Sequence, residues 1–167
     1  MLKTMVRNLR DHNEKLVALP RDFEDVKAMF EEQFGFCNIQ SEQDFECNGL
    51  YSEYGEDEQT YSLAYASDIA TRFERYEAQL GSKYLQAFFE FDSFSYADLD
   101  MIDEGSISFY SSKEEYLYAV YERYGLTDTK FLWTTVDAFL NDDYVFRELE
   151  MNGNLFQASN GVIIELN

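Results

Sequence analysis

His12 is the only histidine in the sequence, which removes most reactions that a constellation of side chains could perform. A Ser or Cys nucleophile needs an adjacent base, and an imidazole metal site needs more than one ring. His12 sits in the polar stretch RDHNE, where a solvated turn residue is expected. Cys37 and Cys47 lack metal-ligand spacing, and no apolar stretch of signal-peptide length opens the chain, so both are read as reduced thiols. The segment DLDMIDEG, starting at Asp98, resembles a calcium loop. Counted from Asp98, however, the turn-glycine position holds Asp103 and the position that needs a bidentate Glu holds Phe109. Neighbouring carboxylates such as Glu56 and Asp57 could do acid and base work, but among 33 acids such pairs arise by chance. Glycine-rich phosphate loops, HExxH and GxSxG are absent. The expectation is a protein that is not an enzyme, with no catalytic, cofactor-binding or metal-binding residues and no cofactor.

What the sequence does carry is charge. Over 167 residues, 33 Asp and Glu face 13 Lys and Arg, a formal net charge of -20. That sign excludes functions resting on attraction to phosphate backbones or anionic lipid, so neither nucleic acid nor a membrane is an expected partner. A basic protein surface is. Solubility alone needs a magnitude of only ~2–8 in a small domain, and the excess costs stability through self-repulsion. With 46% apolar and 17% aromatic residues the chain is no disordered acidic tail. The charge is also unevenly laid out. Residues 1–21 carry five bases and two acids. From Ala28 to Thr71 there is no Lys or Arg, while Glu31, Glu32, Glu42, Asp44, Glu46, Glu53, Glu56, Asp57, Glu58 and Asp68 are acidic. A second base-free window, Tyr84 to Ser112, holds Glu90, Asp92, Asp98, Asp100, Asp103 and Glu104. These acids stand beside Phe, Tyr, Leu and Ile instead of forming blocks, so they decorate a folded surface and are the candidate partner-binding residues.

The elements that must position them follow from periodicity. TMVRNL and KLVAL predict a hairpin closed by Pro20. Asp22 caps a helix that keeps Phe23, Val26, Phe30 and Phe34 in phase until Gly35. One or two strands are expected over 36–50, and YSEYGEDEQT is read as a loop. Tyr65, Ile69, Phe73, Tyr76 and Leu80 then mark one face of a helix ending at Gly81, with further helices over 83–91 and 96–101. GSISFYS predicts a strand, Ser112 with Glu115 a capping box opening the next helix, 133–149 another helical stretch, and NLFQAS with GVIIELN a closing hairpin. The order is α+β, arranged as three small subdomains: an α+β part over 1–60, a helical part over 61–103 and an α+β part over 104–167. No apolar run reaches the ~20 residues that span a bilayer, and a cytoplasmic location is expected.

Three segments of the C-terminal third, SSKEEYLYAVYERYGL, WTTVDAFLNDDYVFRELEMNGNLF and SNGVIIELN, resemble the ArdA family of antirestriction proteins. That family has a Tyr-containing helix ending at Gly, an acidic aromatic helix leading into a GRDLE-like segment, and a short apolar strand after Gly. Arg147, Glu148, Leu149 and Glu150 keep the pattern, while Phe146 replaces the family's Gly. VRNLRDHNEKL and LPRDFEDV resemble the family's opening, without the Gly and Trp that usually precede Leu-Pro. The resemblance implies an elongated bacterial protein, dimeric through its C-terminal part, whose acidic surface mimics DNA in the groove of type I restriction-modification enzymes. Tyr116, Tyr121, Trp133, Phe139 and Tyr144 are then the candidates for a homodimer interface. Duplex DNA carries one phosphate per ~1.7 Å, so 20 net charges match about 34 Å of duplex, roughly ten base pairs. Two alternatives stay open on the residues alone. One is a mimic aimed at another target, such as an anti-CRISPR or a nucleoid-protein decoy, and the other is an acidic adaptor with no DNA-groove target.

Overall fold

Alternating inward and outward side chains open the structure. In a computed structural model describing residues 1–91, 95–125, 142–152 and 154–167, Lys3–Asn8 (β1) pairs antiparallel with Glu14–Ala18 (β2), the expected hairpin. His12 takes a φ of 59° in its turn, a conformation that short polar turns tolerate. The Asp22 carboxylate accepts the Asp25 N–H at 2.8 Å and starts α1, Phe23–Phe34, which ends at Gly35 with φ 79°. Phe30 packs its ring 5.1 Å from that of Phe45 and so seats α1 on the sheet.

The region 36–52 yields one strand, β3, Phe45–Ser52, preceded by a 3-10 turn over Glu42–Asp44. YSEYGEDEQT is not the expected loop. From its fifth residue the chain enters β4, Gly55–Tyr61, which pairs with β3 and forms one edge of an antiparallel sheet ordered β2-β1-β3-β4. The alternation escapes notice because the inward positions hold Asp57 and Tyr61, whose polar groups satisfy each other, while glutamates blunt the open side. At Gly49 the pairing of β3 with β4 slips and φ is 74°, a bulge that lets the carbonyl of Gly49 accept the buried Thr4 hydroxyl at 2.7 Å.

Helix α2, Leu63–Leu80, begins at the Ser62 cap and stops at Gly81. It buries Leu63, Ala66, Ile69, Ala70, Phe73 and Tyr76; Tyr65 of the expected stripe is exposed at its margin. Tyr96, in the 3-10 turn Tyr96–Leu99, packs 5.8 Å from Phe73 and donates its hydroxyl to the Gly55 carbonyl. These elements, from segments 1–81 and 95–99, form one compact unit.

The other described residues form a second unit. It contains α3 (Ser82–Glu90), α4 (Asp100–Asp103), β5 (Ile107–Tyr110), α5 (Lys113–Arg123), α6 (Asp142–Met151), β6 (Leu155–Gln157) and β7 (Ile163–Leu166). Its antiparallel sheet runs β5-β7-β6, and the closing hairpin turns through Gly161. Tyr116, Leu117, Val120, Tyr121, Phe146, Leu155 and Ile163 form a core cluster. The fold is α+β as the sequence predicts, with the helical stretch 61–103 divided between the two units. The first part of the expected helix 133–149 lies outside the described residues.

Gly49 is the most constrained of the described glycines. A Cβ there would collide with the Tyr51 ring and lie 3.0 Å from the Asp57 carbonyl oxygen, at a φ that L-residues avoid. Gly49→Ala is expected to cost about 2 kcal/mol or more in urea unfolding, against little effect of Gly55→Ala, where a Cβ meets nothing within 4 Å. Equal midpoints for the two variants would contradict this account of the bulge.

Candidate acidic interaction surface

The acids of the first base-free window divide into two groups according to what the backbone asks of them. Asp44 is buried at the end of its 3-10 turn, where its side chain accepts the N–H groups of Gln40 and Ser41 at 2.8 and 3.0 Å. Arg10 Nε reaches it at 2.7 Å from the β1–β2 hairpin. Asp57, 9% exposed, accepts the Tyr61 hydroxyl at 2.5 Å and the Gln59 N–H at 2.8 Å. Asp44 and Asp57 are therefore interior supports and not surface ligands, a correction to the expected set. Burial and the Asp57 carboxylate push the Tyr61 phenol far above its ordinary pKa, so it remains a donor at every relevant pH.

The second group faces water. Glu31, Glu32, Glu53, Glu56 and Glu58 are exposed and make no ion pair or side-chain hydrogen bond among the described residues. Glu31 and Glu32 ride the end of α1, and the other three line the β3–β4 hairpin. Glu42 and Glu46 are half-buried. Asp68 is exposed and pairs with Arg72 one turn along α2 at 2.7 Å.

The second window behaves similarly. Glu90 accepts the Ser159 N–H and hydroxyl at 2.7 and 2.8 Å, tying α3 to the closing hairpin of the second unit. Asp98 accepts the Ser95 N–H and hydroxyl, both at 2.7 Å. Asp103 and Glu104 are exposed, Asp100 is half-buried, and Asp92 lies outside the described residues. No three His, Cys, Asp or Glu residues converge on a metal-sized site among the described residues.

The interface candidates change most. Tyr116 and Tyr121 are buried at 3% and 5% exposure in the core of their own unit; Tyr116 packs on Phe146, and the Tyr121 hydroxyl donates to Asp142 at 2.6 Å. They are not available to a second chain. Tyr144 is 64% exposed on α6, and Tyr118, Tyr124 and Met151 are exposed in the same unit. Trp133 and Phe139 lie outside the described residues. Nearby, Arg123 grips Glu165 with both ends of its guanidinium at 2.8 and 2.5 Å, which holds the Glu165 carboxyl below its ordinary pKa.

The chain matches no protein-family model and no curated protein sequence. Among the described residues no helix is long and apolar enough to cross a membrane. One surface residue escaped the sequence reading altogether: Phe36, placed at the start of an expected strand, is 94% exposed. The only local signal is Gly35 before it, whose positive φ turns the chain away from α1.

The Asp44 supports make a pH test. The N–H groups of Gln40 and Ser41, together with Arg10, hold its carboxyl below its ordinary pKa. Its contribution is thus fully present above the unfolded value of about 4 and fades as the pH falls below that. Asp44→Asn is expected to lower the urea midpoint by a constant amount between about pH 5 and 7, the gap to wild type closing below about pH 4. A gap independent of pH down to about 3 would contradict this role.

Proposed function

We propose that the protein is an acidic DNA mimic, an antirestriction protein that occupies the DNA-binding groove of type I restriction-modification enzymes in a bacterial cell. The observation that carries this reading is the set of solvated glutamates, Glu31, Glu32, Glu53, Glu56 and Glu58, none of them in an ion pair among the described residues, on a chain of net -20. A groove lined with Lys and Arg to grip phosphates finds in these carboxylates the same charge and the same acceptor oxygens. No bond is made or broken; inhibition is occupancy.

The segments that build the two units share the charge equally. Those of the first hold 18 acids and 8 bases, those of the second 15 acids and 5 bases, net -10 each. Phe146, which stands where the ArdA family has Gly, fills the core of the second unit. Homodimerisation belongs to the same reading. Repulsion between two chains of -20 opposes it, so the contact is local and apolar, around Tyr144 and Met151, which are 64% and 71% exposed.

Displacement of labelled duplex from a type I methyltransferase tests this. Each exposed carboxylate changed to its amide, singly or as Glu31→Gln with Glu32→Gln and as Glu53→Gln with Glu56→Gln and Glu58→Gln, should weaken inhibition about two- to fivefold per residue. One glutamate abolishing inhibition while the rest do nothing would defeat a distributed surface. In light scattering at moderate salt the protein should weigh twice 19.7 kDa. A monomer persisting at micromolar concentration would refute the dimer, and salt should strengthen the association.

A further inference from the structure

Single exposed apolar side chains are ordinary on protein surfaces, but Phe36 differs in how it is held. Its ring is 94% exposed although the chain around it is pinned. The Gly35 N–H donates to Glu31 O at 2.9 Å, the Asn38 N–H to the Asp11 carboxylate at 3.2 Å, and the Ile39 N–H to Cys37 O at 2.9 Å. Cys37 and Ile39 are buried, and the ring of Phe34 leans on that of buried Phe30 at 5.5 Å. The backbone thus holds the Phe36 Cα in place beneath a bare phenyl ring, and a partner gains its contact without the cost of ordering a loop.

Electrostatics select the partner. A helix C-terminus carries about half a negative charge and is usually relieved by a Lys or Arg. The last turn of α1 has no basic residue and instead carries Glu31 and Glu32, both exposed. Phe36 emerges from this negative pole, so a surface that covers it must combine an apolar recess with a cationic rim.

The geometry points to Phe36 as an anchor that enters the recess in which the target enzyme receives a base turned out of its duplex, with Lys or Arg at the rim meeting Glu31 and Glu32. This rests on the DNA-mimic reading. Enzymes that modify a base extrude it into a snug pocket and stack it between aromatic or apolar side chains, and cations beside the pocket hold the flanking phosphates. A phenyl ring offers the planar face, and the two glutamates offer the flanking charge.

The test is displacement of labelled duplex from a type I methyltransferase by wild type, F36A, F36Y and F36L, with thermal melts and light scattering on each. F36A should melt like wild type, since its ring buries nothing, yet weaken displacement by at least about tenfold. F36Y should stay within about threefold of wild type, and F36L should fall well below F36Y because an aliphatic side chain cannot stack. The slope of affinity against salt should be unchanged in F36A, where no charge is lost, and shallower in the Glu31→Gln, Glu32→Gln double variant. A loss below about tenfold in F36A, an F36L equal to F36Y, or a drop in molecular mass on F36A that places the ring against a second copy would each overturn the anchor. Those results leave the mimicry standing, whereas a wild type that displaces no duplex overturns both.

Discussion

Repulsion among 33 carboxylates is the constraint to which the rest of this structure answers. A chain with so few bases cannot neutralise its acids in pairs, so the fold sorts them. A minority are taken inside and given hydrogen-bond donors: Asp44 receives two backbone N–H groups and Arg10, Asp57 receives Tyr61, and Glu165 receives Arg123 and Tyr110. Others among the described residues, Glu31, Glu32, Glu53, Glu56 and Glu58 with them, stay in water, where a high dielectric and salt keep their mutual repulsion small. Aromatic side chains make this sorting affordable. Each buries a large apolar area, and a phenol can close off a carboxylate that the sheet has turned inward. The wealth of tyrosine and the wealth of acid are therefore parts of one solution.

What the sequence disclosed was whatever is local. The Asp22 and Ser62 caps, the glycines at 35 and 81 and the closing hairpin through Gly161 depend on neighbours a few residues away, and each reads directly from residue type. Strand β4 was hidden because its inward positions are an aspartate and a tyrosine, which balance each other only once the chain is folded. The same limit applied to the candidate site. Asp44 and Asp57 look like Glu42 and Glu58 in a charge plot, and only the hydrogen bonds separate support from surface. Among the tyrosines of α5 and its C-cap, Tyr116 and Tyr121 turn inward while Tyr118 and Tyr124 face out. A helix that carries aromatic residues on several faces does not announce which face is the core.

The sorting sets the physics of recognition. Carboxylates fixed on a folded surface are spaced more widely than phosphates along a duplex, so they condense fewer counterions while still matching a cationic groove in sign and acceptor geometry. On the proposed mimicry, affinity is spread over many modest contacts, and the exposed ring of Phe36 adds an apolar contribution that salt does not screen.

The dependence of binding on ionic strength reports this difference most directly. For one type I methyltransferase, the affinities for this protein and for its duplex are to be measured over the same series of salt concentrations. Mimicry by a folded, sparsely charged surface predicts that both fall as salt rises and that the protein's affinity falls less steeply, so that it gains on DNA. A steeper fall than that of DNA, or no dependence on salt at all, would contradict the central claim that fixed surface carboxylates stand in for phosphates.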